Sequence, residues 1–262
     1  MKIIVCIKQV PDTAEVKLDP VTNNLVREGL PSIINPDDKA GLEAALRIRE
    51  MAGGTVTAVS MGPPQADVAL REALAMGADE AVLITDRAFG GADTWATSST
   101  IAAALRRIGY DLIIAGRQAI DGDTAQVGPQ IAEHLHLPQV TYVESVEAVY
   151  EDRIVVRRQF EDRYHIIEVK FPCLITALSE LAVPRYMSVS GVFDAYKKEV
   201  RRFTLAELAG YVDKVNIGLA GSPTRVKASF TKEPKGAGEK FEGSDEEAVR
   251  LIVSRLAEQF II

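Results

Sequence analysis

The sequence predicts an α/β fold with a doubly wound, mostly parallel sheet, and three observations carry that reading. Up to Pro138, short apolar runs alternate with stretches of helical periodicity. That order, β-α-β-α-β-α-β-α, calls for parallel strands covered on both faces. Residues 111–128 then run as a buried strand (Leu112, Ile113, Ile114, Ala115), a glycine turn at Gly116, a polar loop, and apolar positions Val127, Ile131 and Leu135 at helical spacing. Finally, helix-start residues follow the apolar runs: Asn35-Pro36-Asp37-Asp38 and Asp93-Thr94. Together they describe a Rossmann-like sheet, in which ligands bind at the carboxyl ends of the strands.

Composition narrows the class. The chain has 262 residues, ample for a substantial core. A net charge of -7 argues against nucleic acid as a main partner. No apolar run reaches the length of a membrane span. The start of the chain, through Ile7, is too short for a signal segment and reads as a first strand. Cys6 and Cys173 both lie in apolar runs and read as buried thiols of a cytoplasmic protein. His134 and His136 are two apart on a helix and cannot face one ion, so the histidines do not suggest a metal site.

The elements follow in order. Residues 1–8 form the first strand. Residues 15–18 and 25–27 alternate apolar and polar like a small hairpin. Asn35 caps a helix that runs to about Met51 and stops at Gly53-Gly54. A strand over 55–60 and a helix over 65–76 follow, with Gly77 as its stop. Residues 81–85 form the third strand and Asp93 caps a helix over 94–108. The fourth strand, 111–115, leads into the Gly116 loop. Asp123 stands as N-cap of a helix over 124–136, with Gln126 completing a capping box. Residues 154–160 and 164–170 pair as antiparallel strands within a region of different character, about 140–171. Residues 172–177 form a buried strand able to rejoin the main sheet. Thr204 caps a short helix over 204–209. Residues 218–243, rich in glycine, proline and lysine, form an extended arm. Ser244 and Glu247 make a capping box for a final helix over 245–260. The domain division is therefore 1–217 for the nucleotide-binding domain and 218–262 for the arm and last helix.

Candidate chemistry gathers at the strand ends. Cys6, Asn35 to Asp38, Met61, and the run Gly116, Arg117, Gln118, Ala119, Ile120, Asp121, Gly122, Asp123, Thr124, Ala125, Gln126 and Val127 all fall there. The run is not a P-loop, since no Gly-Lys-Ser/Thr closes it, and its glycines are misplaced for a dinucleotide fingerprint. Asp121 and Asp123 would repel phosphate, so they serve as a cap or as acceptors for hydroxyls. Thr94 and Thr97 are three apart at a helix start and can face one ligand, with Arg87 long enough to supply positive charge. The structural readings stand beside these: an ordinary strand-to-helix turn, threonines bonded to their own helix, and an Arg87–Asp86 surface pair. No nucleophile–base pair is visible, so any chemistry belongs to a cofactor.

Several stretches carry a family resemblance. Val5-Cys6-Ile7-Lys8-Gln9-Val10-Pro11-Asp12, Ile34-Asn35-Pro36-Asp37, Ala73-Leu74-Ala75-Met76-Gly77-Ala78-Asp79, Gly116-Arg117-Gln118-Ala119-Ile120-Asp121-Gly122-Asp123 and Pro184-Arg185-Tyr186 resemble the beta subunit of electron-transfer flavoprotein, in the family's order. The resemblance implies a Rossmann-like sheet of the adenine-nucleotide-binding type, and a heterodimer with an alpha subunit that carries a second flavin. In the housekeeping branch the beta site holds AMP; in the flavin-bifurcating branch it holds FAD. The run from Thr85 to Ser98, and Gly122 in place of an acidic residue, are similar to the FAD branch. That branch implies NADH as electron donor, and an acyl-CoA dehydrogenase with ferredoxin or flavodoxin as acceptors. The resemblance places nucleotide contacts on Cys6, Asn35 to Asp38, Met61 and Gly116 to Val127. It makes Thr94 and Thr97 pyrophosphate ligands. It places a partner-docking loop near residues 186–197, with Tyr186, Met187, Val189, Val192 and Phe193 as its apolar surface. Val189 stands where the family often has leucine. The arm and final helix are expected to wrap the alpha subunit.

Overall fold

The computed structural model describes residues 1–12, 31–228, 236, 238 and 240–262. The expected hairpin at 15–27 lies outside them. Described residues up to Lys227 belong to one compact unit; those from Ala228 onward belong to a second.

In chain order the first unit contains β1 (Lys2–Cys6), β2 (Gln9–Pro11), β3 (Ser32–Ile34), α1 (Pro36–Ala52), β4 (Thr55–Met61), α2 (Asp67–Met76), β5 (Glu80–Ile84), α3 (Thr94–Ile108) and β6 (Leu112–Gly116). It continues with α4 (Val127–Leu135), β7 (Gln139–Val149), β8 (Arg153–Phe160), β9 (Arg163–Lys170), β10 (Cys173–Ala177), α5 (Val189–Ala195) and β11 (Val200–Phe203). The second unit holds α6 (Asp245–Glu258), opened by the expected capping box of Ser244 and Glu247.

A nine-stranded sheet runs β11-β5-β4-β1-β6-β10-β7-β8-β9. Its pairings are parallel from β11 through β10 to the first part of β7, and antiparallel from β7 to β9. Alternate side chains of β1 enter separate cores: Ile3 and Val5 meet Leu42 and Leu46 of α1 and Leu70 and Leu74 of α2, while Ile4 meets Ile101 and Leu105 of α3 and Ile131 of α4. Helices thus cover both faces, and the direction of winding reverses between β1 and β6. That reversal opens a crevice at the carboxyl ends of the two strands.

Several details depart from the sequence reading. β10 inserts between β6 and β7, which places residues 172–177 inside the main sheet. β7, β11 and the β2–β3 pair carry no clear strand pattern in the sequence. β7 mixes polar with apolar residues because much of it is only partly covered. Residues 204–209 form turns rather than a helix; Glu207 takes the Thr204 N–H and hydroxyl, which tightens the chain into a turn. Residues 186–197, expected to be a docking loop, contain a helix, α5, whose cap is Ser188. Among the described residues, no helix is long and apolar enough to cross a membrane.

Candidate functional site

The rim at the β1–β6 crevice is assembled by residues that the sequence places far apart. Asn35 occupies the N-cap position of α1, but its side chain makes no cap hydrogen bond. Instead Nδ2 donates to the Gln118 carbonyl at 2.8 Å, and Oδ1 accepts from Ile120 N–H at 3.1 Å. Its own N–H donates to the Lys8 carbonyl. Asp38 completes the binding of these segments: Oδ2 accepts from Lys8 N–H at 2.8 Å and Oδ1 from Gly116 N–H at 3.0 Å. Lys8 Nζ then reaches Asp121 at 2.7 Å. The ends of β1 and β6 and the start of α1 are therefore one bonded unit.

Burial pushes the Asp38 carboxyl up to about 7, with the Lys8 and Gly116 amides offsetting part of the rise. Burial also raises Asp37, against the pull of Arg117, whose Nε lies 3.5 Å from Asp37 Oδ2. Cys6 is half-buried rather than buried; desolvation, and after it the Asp38 charge, push its thiol up to about 12, which keeps it protonated and inert. The Arg117 N–H donates to the Ala177 carbonyl, which ties the loop to β10.

The second half of the loop corrects the expected capping box. The helix begins at Val127, not Thr124, and Gln126 is its N-cap without a side-chain bond. Asp123 is left-handed (φ 49°) and accepts from Gln118 Nε2 at 2.9 Å, so it braces the loop rather than the helix. Ala125 is left-handed as well (φ 52°). Neither is glycine, so both conformations cost energy. Alternating handedness of this kind turns successive N–H groups toward one side, a concavity that suits anions. The N–H groups of Thr124, Ala125, Gln126 and Val127 donate to no protein acceptor among the described residues.

The start of α3 faces this loop. Thr94 Oγ1 donates to Gln126 Oε1 at 2.9 Å, which joins the two helix starts. Asp93 is the cap read from the sequence: Oδ1 accepts from Ala96 N–H, and Oδ2 from the N–H and hydroxyl of Thr224. Burial works to raise Asp93, but these donors outweigh it and hold the carboxyl below its ordinary range. The Thr97 hydroxyl has no hydrogen-bond partner among the described residues. Arg87 is exposed and makes no ion pair among them, because Asp86 instead accepts from the Ala88 and Leu205 N–H groups. Met61 lines a cavity of about 100 Å³ with Lys8, Gln9 and Ser60. Ser60 Oγ is buried there without a hydrogen-bond partner among the described residues.

The structure thus joins Asn35, Asp38 and the Gly116 loop by direct bonds, with Cys6 against Asp38 and Asp37 against Arg117. It joins Thr94 to Gln126 separately. Tyr186, Met187, Val189, Val192 and Phe193 lie on α5 and its approach, all exposed. Sequence reasoning missed Ser222 and Thr224, which bond Asp93 from 129 and 131 residues away and leave no local pattern. It also missed Glu43, a buried carboxylate on α1. One turn before the apolar Leu46, its position was the available signal.

A model of the electron transfer flavoprotein domain matches residues 22–208. The chain belongs to the electron transfer flavoprotein beta-subunit family. It is 61% identical to the electron transfer flavoprotein subunit beta of Clostridium acetobutylicum over the whole of both chains. It is 53% identical to the caffeyl-CoA reductase-Etf complex subunit CarD of Acetobacterium woodii, and 47% to the acryloyl-CoA reductase electron transfer subunit gamma of Anaerotignum propionicum. Both of those matches also cover each chain in full.

Proposed function

We propose that this chain is the beta subunit of a heterodimeric electron transfer flavoprotein whose rim holds FAD and whose electron donor is NADH. Bound there, FAD would supply the hydride-accepting ring that divides an electron pair between two acceptors. One is the alpha-subunit FAD, leading to an acyl-CoA dehydrogenase; the other is ferredoxin or flavodoxin. The concavity at Asp123 to Val127 is the observation that carries the reading. Its four unspent N–H groups would take the pyrophosphate, with the Thr97 hydroxyl adding a donor and Arg87 a positive charge. Asn35 and Asp38 would keep the loop in place, and Asp121 and Asp123 would steer phosphate away from the braced side. A Cβ added at Gly122 would meet nothing within 4 Å, so the space beside that position is open and does not oppose a larger ligand. The relatives named for caffeyl-CoA and acryloyl-CoA reductases support an acyl-CoA dehydrogenase as acceptor.

One observation favours a second reading, in which the rim holds AMP and the only flavin is on the alpha subunit. The cavity beside Met61, at about 100 Å³, is far below the ~300 Å³ of a small ligand pocket. An FAD would have to lie mostly along the open rim. Nucleotide analysis of the purified heterodimer separates the readings. Two FAD, with both bleached by NADH, is expected; one FAD and one AMP would replace the first reading by the second.

A further inference from the structure

Segment 186–197, exposed over most of its length but buried at Ala195, is tied at both ends by arginines. At its front, Arg185 Nε donates to Glu43 Oε2 at 2.8 Å, Nη2 to Glu43 Oε1 at 3.2 Å, and Nη1 to Glu50 Oε1 at 2.7 Å. The Arg185 N–H also donates to Glu43 Oε2. Glu43 is 2% exposed, and its Oε1 takes Arg47 Nε as well, so no part of this carboxylate is left unpaired. At the back, Arg71 Nη1 donates to the carbonyls of Ala195 and Lys198, both at 2.6 Å. These lie in and just beyond the last turn of α5, where helix carbonyls lack partners of their own. Between the two arginines, Gly191 rests on α2: a Cβ there would come within 2.5 Å of the Ala75 carbonyl oxygen.

A helix this short is unstable by itself in water. Apolar burial on α5 is confined to Ala195, which is 1% exposed and joins the core, while Val189 is 77% and Phe193 68% exposed. Its order therefore comes from the Ser188 cap, the buried Ala195, the Gly191 contact and the two arginines. Ordering an apolar surface before a partner arrives removes an entropy cost from association. We propose that Arg185, acting through buried Glu43, and Arg71 are positioning residues that keep α5 in the form that docks the acyl-CoA dehydrogenase. This rests on the docking surface of the reading above. Neither arginine touches the nucleotide rim, so breaking the clamp is expected to spare bound nucleotide and impair docking.

The test uses the full heterodimer with Arg71→Met, Arg185→Met, Arg185→Lys and Val189→Asp, its acyl-CoA dehydrogenase being the electron acceptor. Nucleotide content, amide hydrogen exchange over 186–197, and KM and kcat for the acceptor are measured. Arg71→Met and Arg185→Met are expected to speed exchange and raise KM about tenfold, with nucleotide content and kcat near wild type. Arg185→Lys is expected to fall between, since lysine cannot reproduce the forked contact. Unchanged exchange in both arginine variants, or faster exchange with unchanged KM, would overturn the clamp. If Val189→Asp raises KM while the arginine variants do not, docking stands and the positioning role is wrong. If all leave KM unchanged, the docking reading itself fails and takes the proposal with it. Should Arg185→Met fail to fold because Glu43 keeps only Arg47 as a partner, Arg71→Met and the double variant Glu43→Gln/Arg185→Met decide the matter.

Discussion

The Cβ that Gly116 lacks would stand 2.0 Å from Asp38 Oδ1, the oxygen that accepts the Gly116 N–H. The glycine is demanded by close approach, not by backbone conformation. Gly116→Ala must push Asp38 off both amides or move the end of β6. A loss of about 1–3 kcal/mol in stability is expected, read by urea unfolding, together with loss of bound nucleotide from the heterodimer.

Asp38 also predicts an unusual pH dependence. Burial raises its carboxyl from 3.8 to about 7, so the folded chain holds this proton more tightly than the unfolded chain. The resulting stabilisation is complete below about 4 and is lost as pH rises through about 7. Asp38→Asn removes it and sets an NH₂ against one of the two amides, at a cost of about 1–3 kcal/mol. Unfolding free energy measured from pH 4 to 8 should fall with pH in the native chain relative to the variant, then run parallel above about 7.

Gly122 offers a variant that spares the fold. Nothing lies within 4 Å of the position a Cβ would take there. Gly122→Asp is expected to leave the thermal midpoint near wild type while FAD is lost from the beta subunit and AMP takes its place. Retention of both FAD molecules would show that this position does not select the ligand.

The two threonines at the start of α3 should separate. Thr94 already spends its hydroxyl on Gln126. Thr97 does not, and its hydroxyl is open to a ligand. Thr97→Val is expected to weaken nucleotide binding by about tenfold, the worth of one hydrogen bond, at unchanged stability. Thr94→Val should instead loosen the junction of α3 with α4. Equilibrium dialysis with FAD and AMP, beside thermal unfolding, checks both.

Much of the parallel core could be read from local pattern. The apolar runs ending at Cys6, Ser60 and Ala115 are strands because both faces are covered, which leaves each continuously apolar. Asp93 and Ser244 cap helices as their residue types suggest. Asp123 misled because its residue type and its spacing to Gln126 suit a cap, while Gln118, held close by the loop's own turn, supplies a competing donor. Asn35 misled similarly: it has the right position, but its side chain serves a loop 83 residues away. The β7 and β11 strands were hidden because partly exposed strands mix polar residues into their pattern. The clamp on α5 was invisible because pairing of Glu43 with Arg185, 142 residues on, depends wholly on tertiary structure.

β10 enters the sheet between β6 and β7, and both of those precede it in the chain. On the ribosome, then, the edge of β6 stays bare while the whole β7–β9 excursion is synthesised, and the Arg117 N–H has no Ala177 carbonyl to meet. A nascent chain halted before Cys173 should expose that edge to chaperones, and its rim should acquire a fixed shape only once the late strand slots home.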